Sequence, residues 1–358
     1  MTTAIFCTTV LSMSPYVWFY ADICKQNGID YIIITKANES IEIDGYNILT
    51  YVVTAKMMKE NRVKRTIDWL KWVKHTINER KVSNIVITPT NTAFVLAPIL
   101  LMSRYRYLLD IRDYTKENSF LFRQLEKAII KKAKLVVISS KGFLRWMPKT
   151  NTPIYVVHNM PLNADRLIKD DYNRASDEKT VIGYIGYVNY YTINKRLIDI
   201  LKGSNQYSLR YCGKIAESCL LEKYVAENKI HNVEFTGPFS NNEKAKLYRT
   251  IDMINSIYGN DSFLVTTSLP NKLYDAAIYK KPILAAKGTF LGETIEKYNL
   301  GLAVDVFHDD LLLLLNDYWQ QFDRDRFEEC CELFFADVTT EQEKTVDKII
   351  DFIRVNDR

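Results

Sequence analysis

Ser268-Leu-Pro-Asn-Lys-Leu-Tyr-Asp-Ala-Ala-Ile-Tyr-Lys-Lys-Pro-Ile-Leu-Ala-Ala-Lys287 predicts a loop, a helix, a tight break and a buried strand. Pro270 fixes φ and suits a helix start. Over residues 271–279, Leu273, Ala276 and Ala277 share the inward face, which leaves Lys272 and Asp275 at the mouth. Pro282 ends the helix, and Ile283-Leu284-Ala285-Ala286 is a short apolar strand. One cation and one carboxylate thus stand in the first helical turns, beside N–H groups that attract anions. A phosphate at that point and a sugar hydroxyl one turn away would both be well served. Many α/β proteins carry the same unit with no ligand, because helix N-termini are generic anion sites.

The chain on either side repeats this strand–helix rhythm. In the first half, strands are expected at 4–10, 31–35, 48–53, 85–88, 107–110, 135–138 and 154–157. Helices are expected at 15–26, 62–80, 93–101 and 118–133. Residues 162–179 are polar and aperiodic and predict a linker. A second alternation follows, with strands at 181–186, 209–212, 233–235, 253–257 and 303–306 and helices at 195–201, 219–227 and 242–250. Alternation of this kind argues for parallel sheets covered on both faces. The expected fold class is therefore α/β, with two Rossmann-like parallel-sheet domains facing a cleft. The expected boundaries are 1–161, a linker at 162–179, 180–338, and a C-terminal helix at 339–358 that returns to the first domain. That last helix carries Val346, Ile349, Ile350 and Ile353 at helical spacing.

A chain of 358 residues exceeds what one core serves. It has no run of about 18 apolar residues of the kind that spans a membrane, and the N-terminus reads as a first strand, not a signal peptide. The six cysteines form no Cys-x-x-Cys and have no nearby His, so buried reduced thiols are expected and no metal site. Residues 1–160 hold 23 Lys and Arg against 12 Asp and Glu, whereas the remainder holds 25 against 31. The basic first half points to an anionic partner or to a solvated lysine-rich face. No nucleic-acid recognition module is visible.

In the segment 62–81, Val63, Ile67, Leu70 and Ile77 share one face, expected to be core. Trp72 falls roughly opposite, near Arg65 and His75, with Lys64, Lys71 and Lys74 on the flanks. Arg65, Trp72 and Lys74 are therefore the candidate surface for a membrane or a lipid-linked acceptor, the alternative being a Trp packed under a loop. Arg123, Lys127, Lys131, Lys132 and Lys134 form a second basic cluster.

Several short motifs occur in order along nearly the whole chain. They are Leu109-Asp-Ile-Arg-Asp113, Leu125-Glu126, Lys134-Leu-Val-Val-Ile-Ser-Ser140, Val157-His-Asn159, Gly183-Tyr-Ile-Gly186, Tyr211-Cys-Gly213, Asn232-Val-Glu-Phe-Thr-Gly-Pro-Phe239, and Leu269-Pro-Asn-Lys-Leu-Tyr-Asp275 with Lys281-Pro282. In these the chain resembles bacterial family 4 glycosyltransferases, which have the GT-B fold. The resemblance implies transfer of a sugar from a nucleotide-sugar donor, held by the second domain, to a saccharide or lipid-linked acceptor on the first. It implies polysaccharide or capsule assembly and retention at the anomeric carbon. The lack of an export signal and the basic first half lead to the expectation of a cytoplasmic enzyme lying peripherally on the inner membrane face. The nucleotide-sugar is a substrate, and no further cofactor is implied.

The resemblance is incomplete. Members usually carry two glutamates with seven residues between them. The second place here is Asp275 and the first is Thr267. Tyr187 stands where an Arg normally binds phosphate, and the first loop, residues 8–15, lacks the usual Gly-Gly.

Without a metal, cations and helix N-termini must stabilise the leaving diphosphate. The donor-site candidates are Lys272, Lys195 and Arg196 for phosphate, Gly186 for close backbone approach, Pro270 and Asn271 at the helix start, and Asp275 for the ribose. Loops at Gly213 and Gly237 are expected to frame the base. Asp110, Arg112 and Asp113, at a strand end, are the catalytic candidates for orienting donor or acceptor, the alternative being an internal Asp–Arg pair. His158 suits a packed structural role better than that of a base. Two other functions fit the same architecture, a non-catalytic binding subunit and a nucleotide-sugar epimerase.

Overall fold

The computed structural model describes residues 2–11, 14–102, 105–113, 119–160, 179–216 and 220–355. The expected linker lies, except for Lys179, outside these. The chain divides into two compact units, residues 1–158 with 340–358, and residues 159–339.

In the first unit the order is β1 (Thr2–Cys7), α1 (Pro15–Gln26), β2 (Asp30–Ala37), β3 (Ile48–Val52), α2 (Ala55–Met58), α3 (Arg62–Glu79), β4 (Val82–Ile87), α4 (Thr90–Met102), β5 (Arg106–Ile111), α5 (Phe120–Lys132), β6 (Leu135–Ile138) and β7 (Ile154–Val156). The strands form one sheet in the order β3-β2-β1-β4-β5-β6-β7, with parallel pairings. Successive residues of β1 serve opposite faces. Ala4 and Phe6 join a core with Trp69, Val73 and Ile77 of α3, while Ile5 and Cys7 join one with Val17, Tyr20 and Ala21 of α1. Period-two burial on both faces is why these strands are almost wholly apolar.

The second unit contains β8 (Thr180–Ile185), α6 (Tyr191–Leu201), β9 (Tyr207–Cys212), α7 (Leu221–Glu227), β10 (Val233–Gly237), α8 (Lys244–Arg249), β11 (Met253–Ser256), α9 (Phe263–Thr267), α10 (Asn271–Ile278), β12 (Ile283–Ala286), α11 (Phe290–Lys297), β13 (Gly301–Val304) and α12 (Leu311–Gln320). The order β10-β9-β8-β11-β12-β13 makes a second parallel sheet. Strand order reverses between β8 and β11, the point at which open α/β sheets hold ligands. The fold class is therefore as the alternation predicts, two Rossmann-like parallel-sheet units.

The last helix, α13 (Arg324–Arg354), is twice as long as the periodicity at 340–355 suggests. Its first half places Phe327, Cys331, Phe334 and Val338 in the core of the second unit. Its last turns place Ile349, Phe352 and Ile353 in the core of the first, where the Ile353 carbonyl accepts from Asn84 Nδ2 at 2.7 Å. The spacing of 327, 331, 334 and 338 is itself helical, so the earlier start is written in the sequence.

Candidate functional site

A pocket of 490 Å³ opens in the second unit at the ends of β8 and β11. Its wall includes Tyr184, Gly186, Lys244, Tyr258, Lys272 and Asp275, and Pro270 and Asn271 bring the first turn of α10 to it. Pro270 is the N-cap, with extended backbone at φ −74° and ψ 158°. The first amides of any helix lack intrahelical acceptors and carry the positive end of its dipole.

Lys272 is only 6 % exposed. Its Nζ donates to Tyr258 Oη at 3.1 Å and lies 3.3 Å from the centre of the Tyr184 ring. Burial, with Lys244 nearby, holds its ammonium well below its ordinary pKa, against the pull of Asp275. A lysine so placed gains charge when an anion enters, because the anion replaces the solvation that burial removed.

Asp275 is 2 % exposed, with a donor on each oxygen. Lys244 Nζ donates to Oδ1 and Tyr248 Oη to Oδ2, each at 2.8 Å. Lys244 was missed by sequence reasoning. The signal available was the capping box directly before it, in which Ser240 and Glu243 exchange hydrogen bonds and fix the start of that helical segment.

The three glycines stand at neighbouring strand ends. The Gly186 amide donates to the Cys212 carbonyl and the Gly213 amide to the Gly237 carbonyl, both at 2.8 Å. Gly186 lines the pocket; Gly213 and Gly237 are not among its lining residues. Gly213 has φ 141°, and a Cβ there would lie 1.9 Å from the Gly186 carbonyl oxygen. Its role is close passage of two strand ends, since no side chain fits between them.

Other expected residues lie elsewhere. Lys195 pairs with Asp199 at 2.6 Å and sits over the Tyr224 ring, while Arg196 Nε donates to the Val306 carbonyl at 3.0 Å. Neither is among the pocket's lining residues, because α6 turns this face toward α7 and the segment after β13. Thr267, at the first glutamate place, is buried in α9, and its Oγ1 donates to the Phe263 carbonyl at 2.5 Å. Tyr187 lines the pocket and is 59 % exposed.

In the first unit, Asp110 and Arg112 form an internal pair rather than an open catalytic group. Asp110 is 0 % and Arg112 4 % exposed. Arg112 Nε lies 2.6 Å from Asp110 Oδ1 and Nη2 donates to Oδ2 at 2.8 Å. Tyr20 Oη donates to the same Oδ2, and Arg112 also reaches the Val157 carbonyl at 3.0 Å and stacks on Tyr16. Burial pushes the Asp110 carboxyl up, opposed by Arg112. This is the buried-ion-pair alternative, in which both charges must satisfy each other because water does not reach them. Asp113 is exposed. His158 is packed: its Nε2 lies 3.1 Å from Glu341 Oε2 and its amide donates to Gln342 Oε1.

Trp72 does not stand exposed. It is half-buried against the Tyr51 ring, 5.2 Å away, at the edge of the core. The buried face of α3 is Trp69, Val73, Thr76 and Ile77, whereas Val63 and Ile67 are 65 % and 47 % exposed. Trp69 outcompetes two β-branched residues for the core because it buries more apolar area. That rotation leaves Lys74 on the surface and Arg65 half-buried, with Nη1 3.5 Å from Met58 Sδ.

No protein-family model and no curated protein matches the chain. Solved structures do. The chain is similar to a sucrose-phosphate synthase from Thermosynechococcus elongatus at 13 % identity and TM-score 0.71, covering 98 % of this chain and 99 % of that one. It is similar to HepE of Anabaena, solved in complex with UDP, at 14 % identity and TM-score 0.71, covering 98 % and 100 %. It is also similar to the lipopolysaccharide outer core galactosyltransferase WaaB at 13 % identity and TM-score 0.70, covering 97 % and 99 %. At such identities the likeness establishes the GT-B fold.

Proposed function

We propose that the chain is a glycosyltransferase of the family 4 type that takes a nucleotide-diphosphate sugar as donor. The observation that carries this is Lys272 and Asp275 in one pocket wall, at the start of α10 and at the reversal point of the second sheet. The arrangement supplies a cation and helix amides for a diphosphate, with a carboxylate one turn away for ribose hydroxyls. HepE, of the same fold, was solved with UDP bound.

In the proposed reaction the bond from the anomeric carbon to the donor phosphate oxygen breaks. The bond to the acceptor oxygen forms on the same face, and the acceptor proton passes to the leaving phosphate oxygen. Lys272 and Lys244 neutralise the leaving diphosphate, and no metal is required. The acceptor is a saccharide or a lipid-linked sugar bound by the first unit, in cell-surface polysaccharide assembly. The enzyme works in the cytoplasm, peripherally at the inner membrane face.

A thermal-shift panel of UDP, GDP, CDP and ADP with their common sugar conjugates tests the donor site. A clear shift with one base is expected, because a ligand that binds only the folded state stabilises it by mass action. No shift with any of them removes the donor reading. A second function, binding without turnover, is favoured by the buried Thr267 and by Tyr187 in place of the family arginine. Hydrolysis or transfer of the bound donor by pure protein separates the two. Release of an altered nucleotide-sugar with acceptor omitted would instead identify an epimerase.

A further inference from the structure

A second cavity, of 410 Å³, lies in the first unit between α5 and the segment Trp146–Lys149. Four cations line it: Arg123, Lys127 and Lys131 from α5, and Lys149 opposite, with Trp146 and Met147 between. None of these four cations has an ion-pair or hydrogen-bond partner among the described residues. By contrast, Lys195, Lys244 and Lys287 of the second unit each hold a carboxylate. The single acid of the basic cavity, Glu126, is 2 % exposed and engaged in its own interaction.

Arg123, Lys127 and Lys131 follow one another at i, i+4 and i+8, so like charges repel along one face. Phe120 extends the same stripe by one turn and is 71 % exposed; Leu121 beside it is 77 % exposed. The neighbouring face, Glu126, Ile129 and Ile130, is buried. A helix that offers water an aromatic ring, a leucine and then three cations has the composition of the boundary between acyl chains and headgroups.

We propose that this cavity receives the phosphate of an anionic lipid headgroup, with Arg123, Lys127, Lys131 and Lys149 around it and Phe120 and Leu121 in the acyl boundary. The site lies in the first unit and does not depend on the donor pocket. It moves the membrane-facing surface from Arg65, Trp72 and Lys74 of α3 to α5.

The test is co-sedimentation of the full chain with phosphatidylcholine vesicles, with and without phosphatidylglycerol. Binding only with phosphatidylglycerol is expected. It should fall about tenfold or more in K127E/K131E, as loss of two cations near an anionic leaflet implies. K71E/K74E makes the same charge change on α3 and should bind like wild type. F120S alters no charge and should also weaken binding, which keeps the test open if the charge-reversed protein does not fold. Equal losses in the two charge-reversed proteins would mean diffuse attraction and overturn the site. So would stabilisation by inorganic pyrophosphate without vesicle binding, which would make the ligand a soluble anion.

Discussion

Lys244 and Asp275, 31 residues apart in sequence, meet at 2.8 Å in the pocket wall, and Tyr248 takes the other carboxylate oxygen at the same distance. Each carboxylate oxygen therefore holds one donor before any ligand arrives. A ribose hydroxyl that bonds Asp275 joins Lys244 and Tyr248 on the same carboxylate, which brings the Lys244 ammonium close to the ligand's own negative charge.

Lys244→Met is expected to leave a carboxylate that is 2 % exposed with Tyr248 alone. Loss of one partner from a buried acceptor costs on the order of 1–3 kcal/mol. Urea unfolding measures this. Lys244→Met combined with Asp275→Asn should recover most of the loss, and a double variant as unstable as the single would show that Lys244 acts through packing instead.

Lys272→Met should weaken binding of the preferred nucleoside diphosphate about tenfold, the scale of one hydrogen bond to a charged group. The depressed pKa of Lys272 adds a signature. An entering anion restores the charge, so binding takes up a proton at any pH between the free and bound pKa values, and affinity falls as pH rises through that interval. Calorimetry in buffers of different ionisation enthalpy counts the proton. The count should drop in Lys272→Met, and an unchanged count would assign the uptake to another group.

Glu341 stands between Lys141 Nζ at 2.7 Å and His158 Nε2 at 3.1 Å. Burial pushes its carboxyl up, but the hydrogen bonds from His158 and Lys141 prevail and lower it from 4.5 to about 2. A carboxyl with a depressed folded pKa contributes its stability above the unfolded value and loses it as pH falls through the folded one. Glu341→Gln should therefore be less stable than wild type at neutral pH, and the gap should close between about pH 4.5 and 2. The side chain is 31 % exposed, so the gap is modest. Thermal melts across pH decide it, and a gap independent of pH would exclude the ion pairs as its source.

Gly213→Ala should be among the most damaging small changes in the second unit. The new Cβ would meet the Gly186 carbonyl oxygen at 1.9 Å, from a φ of 141°. Both strand ends must move, at a cost of about 2 kcal/mol or more. Chemical denaturation gives the cost, and nucleotide affinity should fall with it because Gly186 lines the pocket. A fully stable Gly213→Ala would mean that the strand ends separate freely.

Much of the fold was legible. The twenty residues from Ser268 to Lys287 give a helix at Asn271–Ile278 and a strand at Ile283–Ala286, close to the expected 271–279 and 283–286. Proline placement and apolar runs mark such boundaries locally. The helix α12 was not read, because Leu311-Leu-Leu-Leu-Leu315 is apolar without a period. The error at α3 has a related cause: apolar residues occur around most of the helix, and only packing chose Trp69 over Val63 and Ile67.

The sequence alone determined that there are two parallel sheets and that one helix starts with a lysine and carries an aspartate a turn later. Burial follows spacing along the chain, and spacing is visible in a string of letters. Tertiary structure alone decided which charges meet. Lys195 was an expected phosphate ligand and Lys244 was not, yet Lys195 is held by Asp199 within its own helix and Lys244 reaches Asp275 in the pocket. Ion pairing and desolvation act over a few ångströms through space, and those distances exist only once remote segments have been folded together.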